Sequence, residues 1–254
     1  MKRRHLLRAV AGLAVAALAA CASAPPGCVP LLVASDLDNR PFAWLQPDGA
    51  PAGRDVEMMQ DLARRLGRPL VWMRMPFDQL LPAAREGRVD VVCATLGVTP
   101  EREETLDFSV PYFRTQLAVV VADSPSAPAS LADLSGRRVG AGLGTTSERA
   151  LRLALPQALP VLENKAGLPA LERLLSGEVA ALVMDGPAAD TLVAAASGRL
   201  RRLRETLGPE HYGLVLPQGS ALKEALDRAL LAHERDGTAA RLDAAHGLHS
   251  ARPR

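Results

Sequence analysis

Apolar and polar positions follow two rhythms along this chain, and the rhythms take turns. Unbroken apolar runs of strand length occur in LLVASD (31–36), PLVWMRM (69–75) and VDVVCATL (89–96). Between them lie segments with helical spacing. In DVEMMQDLARRLG (55–67), Met59, Leu62, Ala63 and Leu66 share one face, Asp55 suits the N-cap and Gly67 the stop. FDQLLPAAREG (77–87) predicts a second helix with Pro82 inside it. Strands alternating with helices imply βαβ units and parallel pairing.

The order then returns. GRRVGAGLG (136–144) predicts a strand and a Gly-rich turn, and TSERALRLAL (146–155) a helix. LPALERLLSGEVAALVMDG (168–186) echoes LPAAREGRVDVVCAT (81–95): each has Leu-Pro-Ala, a short helix, Gly-charged-Val and an apolar strand. Two such copies predict two similar lobes. QLAVVVA (116–122) leads out of the first and YGLVLP (212–217) leads back, followed by a helix in which Leu222, Leu226, Ala229 and Leu230 share a face. The expected fold is two doubly wound α/β lobes joined by two crossing hinge strands, with a ligand cleft between them. Lobe 1 is expected over 31–115 and 213–248, lobe 2 over 116–212, and a tail over 249–254.

The N-terminus follows neither rhythm. Lys2, Arg3, Arg4 and Arg8 precede the apolar run 9–20, which is too short to span a membrane and reads as an export signal. Leu18-Ala19-Ala20-Cys21 resembles a lipobox, so residues 1–20 are expected to be removed, Cys21 to carry lipid, and 21–30 to form a tether; cleavage after Ala22-Ser23-Ala24 is the alternative. Those four cations belong to the signal, so the chain's +2 becomes −2 without it, which gives no case for nucleic-acid binding. Of three cysteines, Cys28 and Cys93 remain after lipidation, too few for a disulfide framework. The expected product is an exported, lipid-anchored monomer.

Candidate chemistry gathers at the carboxyl ends of predicted strands, where open parallel sheets bind ligands. Asp36 follows the first, Thr95–Arg102 the third, Gly142–Ser147 the first strand of the second lobe, and Asp185 the strand AALVM. Thr99 and Pro100 suit the N-cap and first position of a short helix. Arg102 is out of place there, because the positive end of a helix disfavours a cation. It becomes useful if an organic carboxylate sits at that helix start: the guanidinium can grip it bidentately, with backbone amides of Thr95–Gly97 and of Thr145–Thr146 completing an anion cage. Opposite it, from the other half and across a closable gap, Asp185 is expected to take an ammonium group, and a carboxylate with an ammonium is an α-amino acid. Blander roles stand beside these. Asp36 and Asp185 can cap helices, GAGLGTTSE can be an ordinary turn, and Arg102 can pair on the surface with Glu101, Glu103 or Glu104 for under ~1 kcal/mol.

VTPEREETLDFSVPYF (98–113) resembles the family-3 extracellular solute-binding proteins, extracytoplasmic receptors of polar amino-acid ABC transporters, whose pattern runs T-x-E-R…DFS-x-P-Y. LPAAREGRVDVV, SLADLSGRRVGAGLGTTSE, ALVMDGPAA and YGLVLPQGS are similar to the same family in unbroken order over about 31–240. The resemblance implies that Arg102, helped by Thr95 and Thr146, holds the ligand's α-carboxylate and Asp185 its α-amino group. It further implies that Phe77 walls the side chain, that Asp36 faces its polar end, and that Asn39, Gly97, Gly142 and Thr145 line the site. It implies no cofactor, no metal and no catalysis, and a permease of the inner membrane as partner.

Departures from the family are visible. Asn39 stands where an aromatic is usual, Gly97 where Ser or Thr is common, and Gly53-Arg54-Asp55 replaces Gly-Phe-Asp. The aromatic C-terminal ending is replaced by Ala244-Ala245-His246-Gly247. An exported enzyme of the cyclohexadienyl dehydratase kind, with Glu163 or Glu172 as acid, and an accessory or sensory receptor are the rival readings. His211, His233, His246 and His249 lack ligand spacing and are expected on the surface, while Cys93 is expected as an inert buried thiol.

Overall fold

The computed structural model describes residues 29–163 and 168–250. The predicted signal peptide, Cys21, Cys28 and residues 251–254 lie outside the described residues. The described chain forms two compact units. One takes residues 29–94, 105–109 and 215–242; the other takes 95–104, 110–163, 168–214 and 243–250.

In the first unit, β1 (Leu31–Ser35), β5 (Leu70–Arg74) and β6 (Val91–Val92) are parallel, and β7 (Leu106–Phe108) and β13 (Val215–Pro217) join them in the order β5-β1-β6-β13-β7. β13 runs antiparallel to both its neighbours. A small sheet of β2 (Asp38–Asn39), β3 (Ala43–Leu45) and β4 (Pro51–Ala52) leads into α1 (Arg54–Arg65). Met58, Met59, Leu62 and Ala63 are buried on α1 at helical spacing, and α2 (Phe77–Arg85) keeps Pro82 inside it. The N-cap of α1 is Gly53, not Asp55. Gly53 has φ +121°, and a Cβ there would stand 2.3 Å from the Phe42 carbonyl oxygen, so only glycine fits this crossing. Asp55 is instead fully buried in the first turn beside Arg54, which is 1% exposed; the guanidinium lies 3.3 Å from the carboxylate and 3.0 Å from the Met58 sulfur.

His233, on α7 (Lys223–Arg235), corrects the surface expectation. It is 2% exposed, and its Nδ1 lies 2.7 Å from Asp61 Oδ2. Burial lowers its pKa against the pull of that carboxylate. Cys93 is a buried free thiol, as expected. The strand around it is shorter than VDVVCATL suggests, because regular pairing covers only Val91 and Val92.

In the second unit the order is β10 (Leu159–Glu163), β9 (Arg138–Gly142), β11 (Ala181–Asp185), β8 (Phe113–Ala122), β12 (Leu200–Tyr212). The first three are parallel, and β8 is antiparallel to both its neighbours. Successive side chains divide between two cores. Ala118, Val120, Leu182 and Met184 point to the face covered by α5 (Leu168–Leu175) and α6 (Gly186–Ala195). Val119, Val121, Ala181 and Val183 point to the face holding Leu134 and Leu151 of α4 (Thr146–Ala154). Burial on both faces is why these strands read as unbroken apolar runs. The repeated segments occupy matching places: α2 precedes β6, parallel to β1 at Val33–Val91, and α5 precedes β11, parallel to β9 at Val139–Ala181.

Residues 95–104, which the sequence division assigns to lobe 1, pack with the second unit, so Arg102 and Asp185, expected to face each other from opposite halves, belong to one unit. Val98 N donates to His211 O at 2.9 Å, Gly213 N to Leu96 O at 3.0 Å, and Gly97 bridges Tyr212. The C-terminal residues 243–250 join the same unit, with Arg114 N donating to Ser250 Oγ at 3.0 Å.

Candidate functional site

Four segments of the second unit converge on one cluster of charge. The first is α3 (Pro100–Glu103), a single turn started as its sequence predicts: Thr99 is the N-cap, its Oγ1 accepts from Arg102 N, and Pro100 begins the helix. Arg102 then turns inward. Its Nη1 donates to Gly97 O at 2.7 Å and its Nη2 to Gly144 O at 3.0 Å, tying α3 to the loop after β9. Glu101, one of the three acids weighed as its surface partner, pairs instead with Arg149 at 2.8 Å, and that contact draws the Glu101 carboxyl down to about 2.

The second segment is the turn from β9 into α4. Thr145 caps α4 by accepting from Glu148 N, and its hydroxyl donates to Gly142 O at 2.7 Å. Thr146 Oγ1 points away from the cap and donates to Glu210 Oε1 at 2.7 Å. Asp185 ends β11 and occupies the N-cap position of α6, yet its side chain makes no capping bond. Instead the charge of Arg102 and the polarity of the neighbouring Tyr212 hydroxyl both favour its carboxylate. Desolvation outweighs them and lifts the Asp185 carboxyl to about 6.

Glu210, near the end of β12, is a site residue that no motif in the chain singles out. Only 5% of it is exposed. Desolvation raises its carboxyl to about 7, the nearby Asp185 adds to the shift, and Thr146, Arg102 and Arg149 oppose it. Its carboxyl lies over Gly97: a Cβ at that position would fall 2.0 Å from Glu210 Oε1 and 2.6 Å from Thr146 Cγ2. Gly97 was the available signal, since a missing side chain leaves room for something else.

Thr95 enters this cluster's segment with φ +48°, a strained conformation for a β-branched residue of the kind found where backbone is held for function. The structure thus gathers Gly97, Arg102, Gly142, Thr145, Thr146 and Asp185 in one unit, with Glu210 and Tyr212 added. Asp36, Asn39 and Phe77 belong to the other unit: Asp36 follows β1, Asn39 ends β2 and Phe77 opens α2, each partly exposed. Of the acids nominated for catalysis, Glu163 pairs with Arg173 at 2.8 Å and Glu172 is exposed on α5. Among the described residues no group of three or more His, Cys, Asp or Glu could hold a metal ion, and no helix is long and apolar enough to cross a membrane.

A family model for bacterial extracellular solute-binding proteins, family 3, matches residues 31–249. The chain belongs to this family. Among its relatives, the L-cystine-binding protein TcyJ of Escherichia coli K12 is 30% identical over 210 residues, 82% of this chain and 79% of that protein. The L-arginine-binding protein of Pseudomonas aeruginosa is 30% identical over 186 residues, 73% of this chain and 70% of that one. An ancestral arginine-binding protein solved with arginine bound superposes with a TM-score of 0.78 at 31% identity, covering 85% of this chain and 97% of its own. A second solved structure, of an ancestral amino-acid-binding protein that is a precursor of cyclohexadienyl dehydratase, gives a TM-score of 0.75 at 28% identity, covering 85% of this chain and 94% of its own.

Proposed function

We propose that this protein captures a polar amino acid, or a similar small zwitterion, and delivers it to an ABC permease in the membrane. What carries the reading is the placing of Arg102 and Asp185: a guanidinium and a carboxylate in one unit, close enough for each to feel the other's charge. Arg102, with Thr95, Thr146 and the amides of the Thr145–Thr146 turn, holds the α-carboxylate; Asp185 holds the α-ammonium. Each charge of the ligand replaces water around a charge of the protein, so the two pairs compensate each other's desolvation. The amino-acid-binding names of the relatives support the same class of ligand. Export and a lipid tether at Cys21 complete the proposal, on the strength of Leu18-Ala19-Ala20-Cys21.

Calorimetry with L-arginine, L-histidine, L-cystine and the remaining standard amino acids tests it. Wild type is expected to bind at least one, and Arg102→Ala none, with an unchanged far-UV spectrum. Undiminished affinity in that variant refutes the assigned site.

Catalysis on this fold is the second reading, favoured by Glu210, whose carboxyl near 7 suits a general acid. Turnover of prephenate or arogenate by the purified protein decides for it.

A further inference from the structure

Glu210 does something that holding a zwitterion does not require. Its Oε1 accepts the Thr146 hydroxyl at 2.7 Å, and its carboxyl fills the space above Gly97 so fully that no side chain could stand there. Thr146 and the Gly97 segment are two of the groups expected to hold a ligand's α-carboxylate. The protein's own carboxyl therefore sits where a foreign one would bind.

Charge sharpens the conflict. The groups facing Glu210 are Arg102 from α3, Thr146 and Arg149 from α4, and Asp185 from the end of β11, with Tyr212 two residues along its own strand. Arg149 is already paired with Glu101. Arg102 thus faces two carboxyls, the buried Glu210 and the partly buried Asp185, and a ligand carboxylate would make a third. Like charges this close cannot all stay ionised, and the group most easily neutralised is the one shielded from water.

We propose that Glu210 is a specificity-determining residue of this site, admitting a ligand carboxylate only as its own carboxyl takes up a proton from the solvent. As the neutral acid it keeps its contact with Thr146 and gains a proton to donate to the incoming carboxylate. As the anion it repels that carboxylate and disfavours dicarboxylic amino acids most of all. This inference rests on the amino-acid reading above.

The competent fraction then follows the protonated fraction of Glu210. With its carboxyl near 7, wild-type affinity is expected to fall about tenfold between pH 6 and pH 8. The measurement is calorimetry at pH 8 in phosphate and in Tris, whose ionisation enthalpies differ, using whichever of the twenty standard amino acids or L-cystine binds at pH 6. Wild type should take up close to one proton per ligand at pH 8. Glu210→Gln should take up none and bind with nearly the same affinity at both pH values. Wild-type binding without proton uptake overturns this inference and leaves the amino-acid reading intact, and it does so even if the variant fails to fold. Binding of none of these compounds at pH 6 overturns the underlying reading, and this inference with it.

Discussion

Replacing Glu210 by Gln should change how the protein's stability depends on pH. In the folded chain the Glu210 carboxyl is raised from 4.5 to about 7. Between those values the folded state keeps a proton that the unfolded chain has given up, so this group's contribution is full at low pH and is lost as pH climbs through about 7. At 1.36 kcal/mol per unit, the shift caps the loss at about 3 kcal/mol. For a chain of this length each kcal/mol moves Tm by roughly 2–4 °C, so the cap is roughly 6–12 °C. The amide retains an oxygen to accept the Thr146 hydroxyl but cannot ionise. Thermal melts at constant ionic strength between pH 5 and pH 8 check this. Wild type should lose stability relative to the variant as pH rises, with the gap widest at pH 8. Comparison at each pH cancels the opposite slope from His233, which burial disfavours in its charged form. Parallel curves for the two proteins would refute the reasoning.

Three further outcomes are expected. Asp55→Ala removes a fully buried carboxylate 3.3 Å from the buried Arg54 and should cost about 3–5 kcal/mol in denaturant unfolding. Gly97→Ala drives a methyl into Glu210 and should destabilise by about 1–3 kcal/mol, with a double-mutant cycle to Glu210→Ala recovering at least about 1 kcal/mol of it. Cys93, buried in the native state, should be silent to a thiol reagent until the protein unfolds, then react stoichiometrically.

Much of this architecture was legible because its signals are local. The Thr99-Pro100 start of α3, the Thr145 cap of α4 and the two-sided burial of QLAVVVA each follow from a few adjacent residues. β12 was not legible. Its run LRRLRETLGPEHY holds three arginines and Gly208-Pro209, and its register with β8 slips on either side of Thr206, which suits an edge strand but mimics a loop. Arg102 could be singled out because a cation in a first helical turn is anomalous wherever it occurs. Glu210 carries no such anomaly. Its burial, its raised carboxyl and its contact with Thr146 exist only after distant segments meet, and the sole local trace was an absence of side chain at Gly97. His233 was misjudged for a related reason, since α7 presents it to Asp61 of α1.

The order β5-β1-β6-β13-β7 sets a timetable for the newborn chain. β6 and β7 are made early, yet the strand that stands between them is not translated until residue 217, after every strand of the other unit. Until then the Val92 edge has no permanent neighbour, and a nascent fragment stopping short of Val215 carries an open seam in its sheet. Truncation from the C-terminus should therefore yield an aggregating product, not a smaller working receptor, and a helper that shields exposed sheet edges would act in that interval.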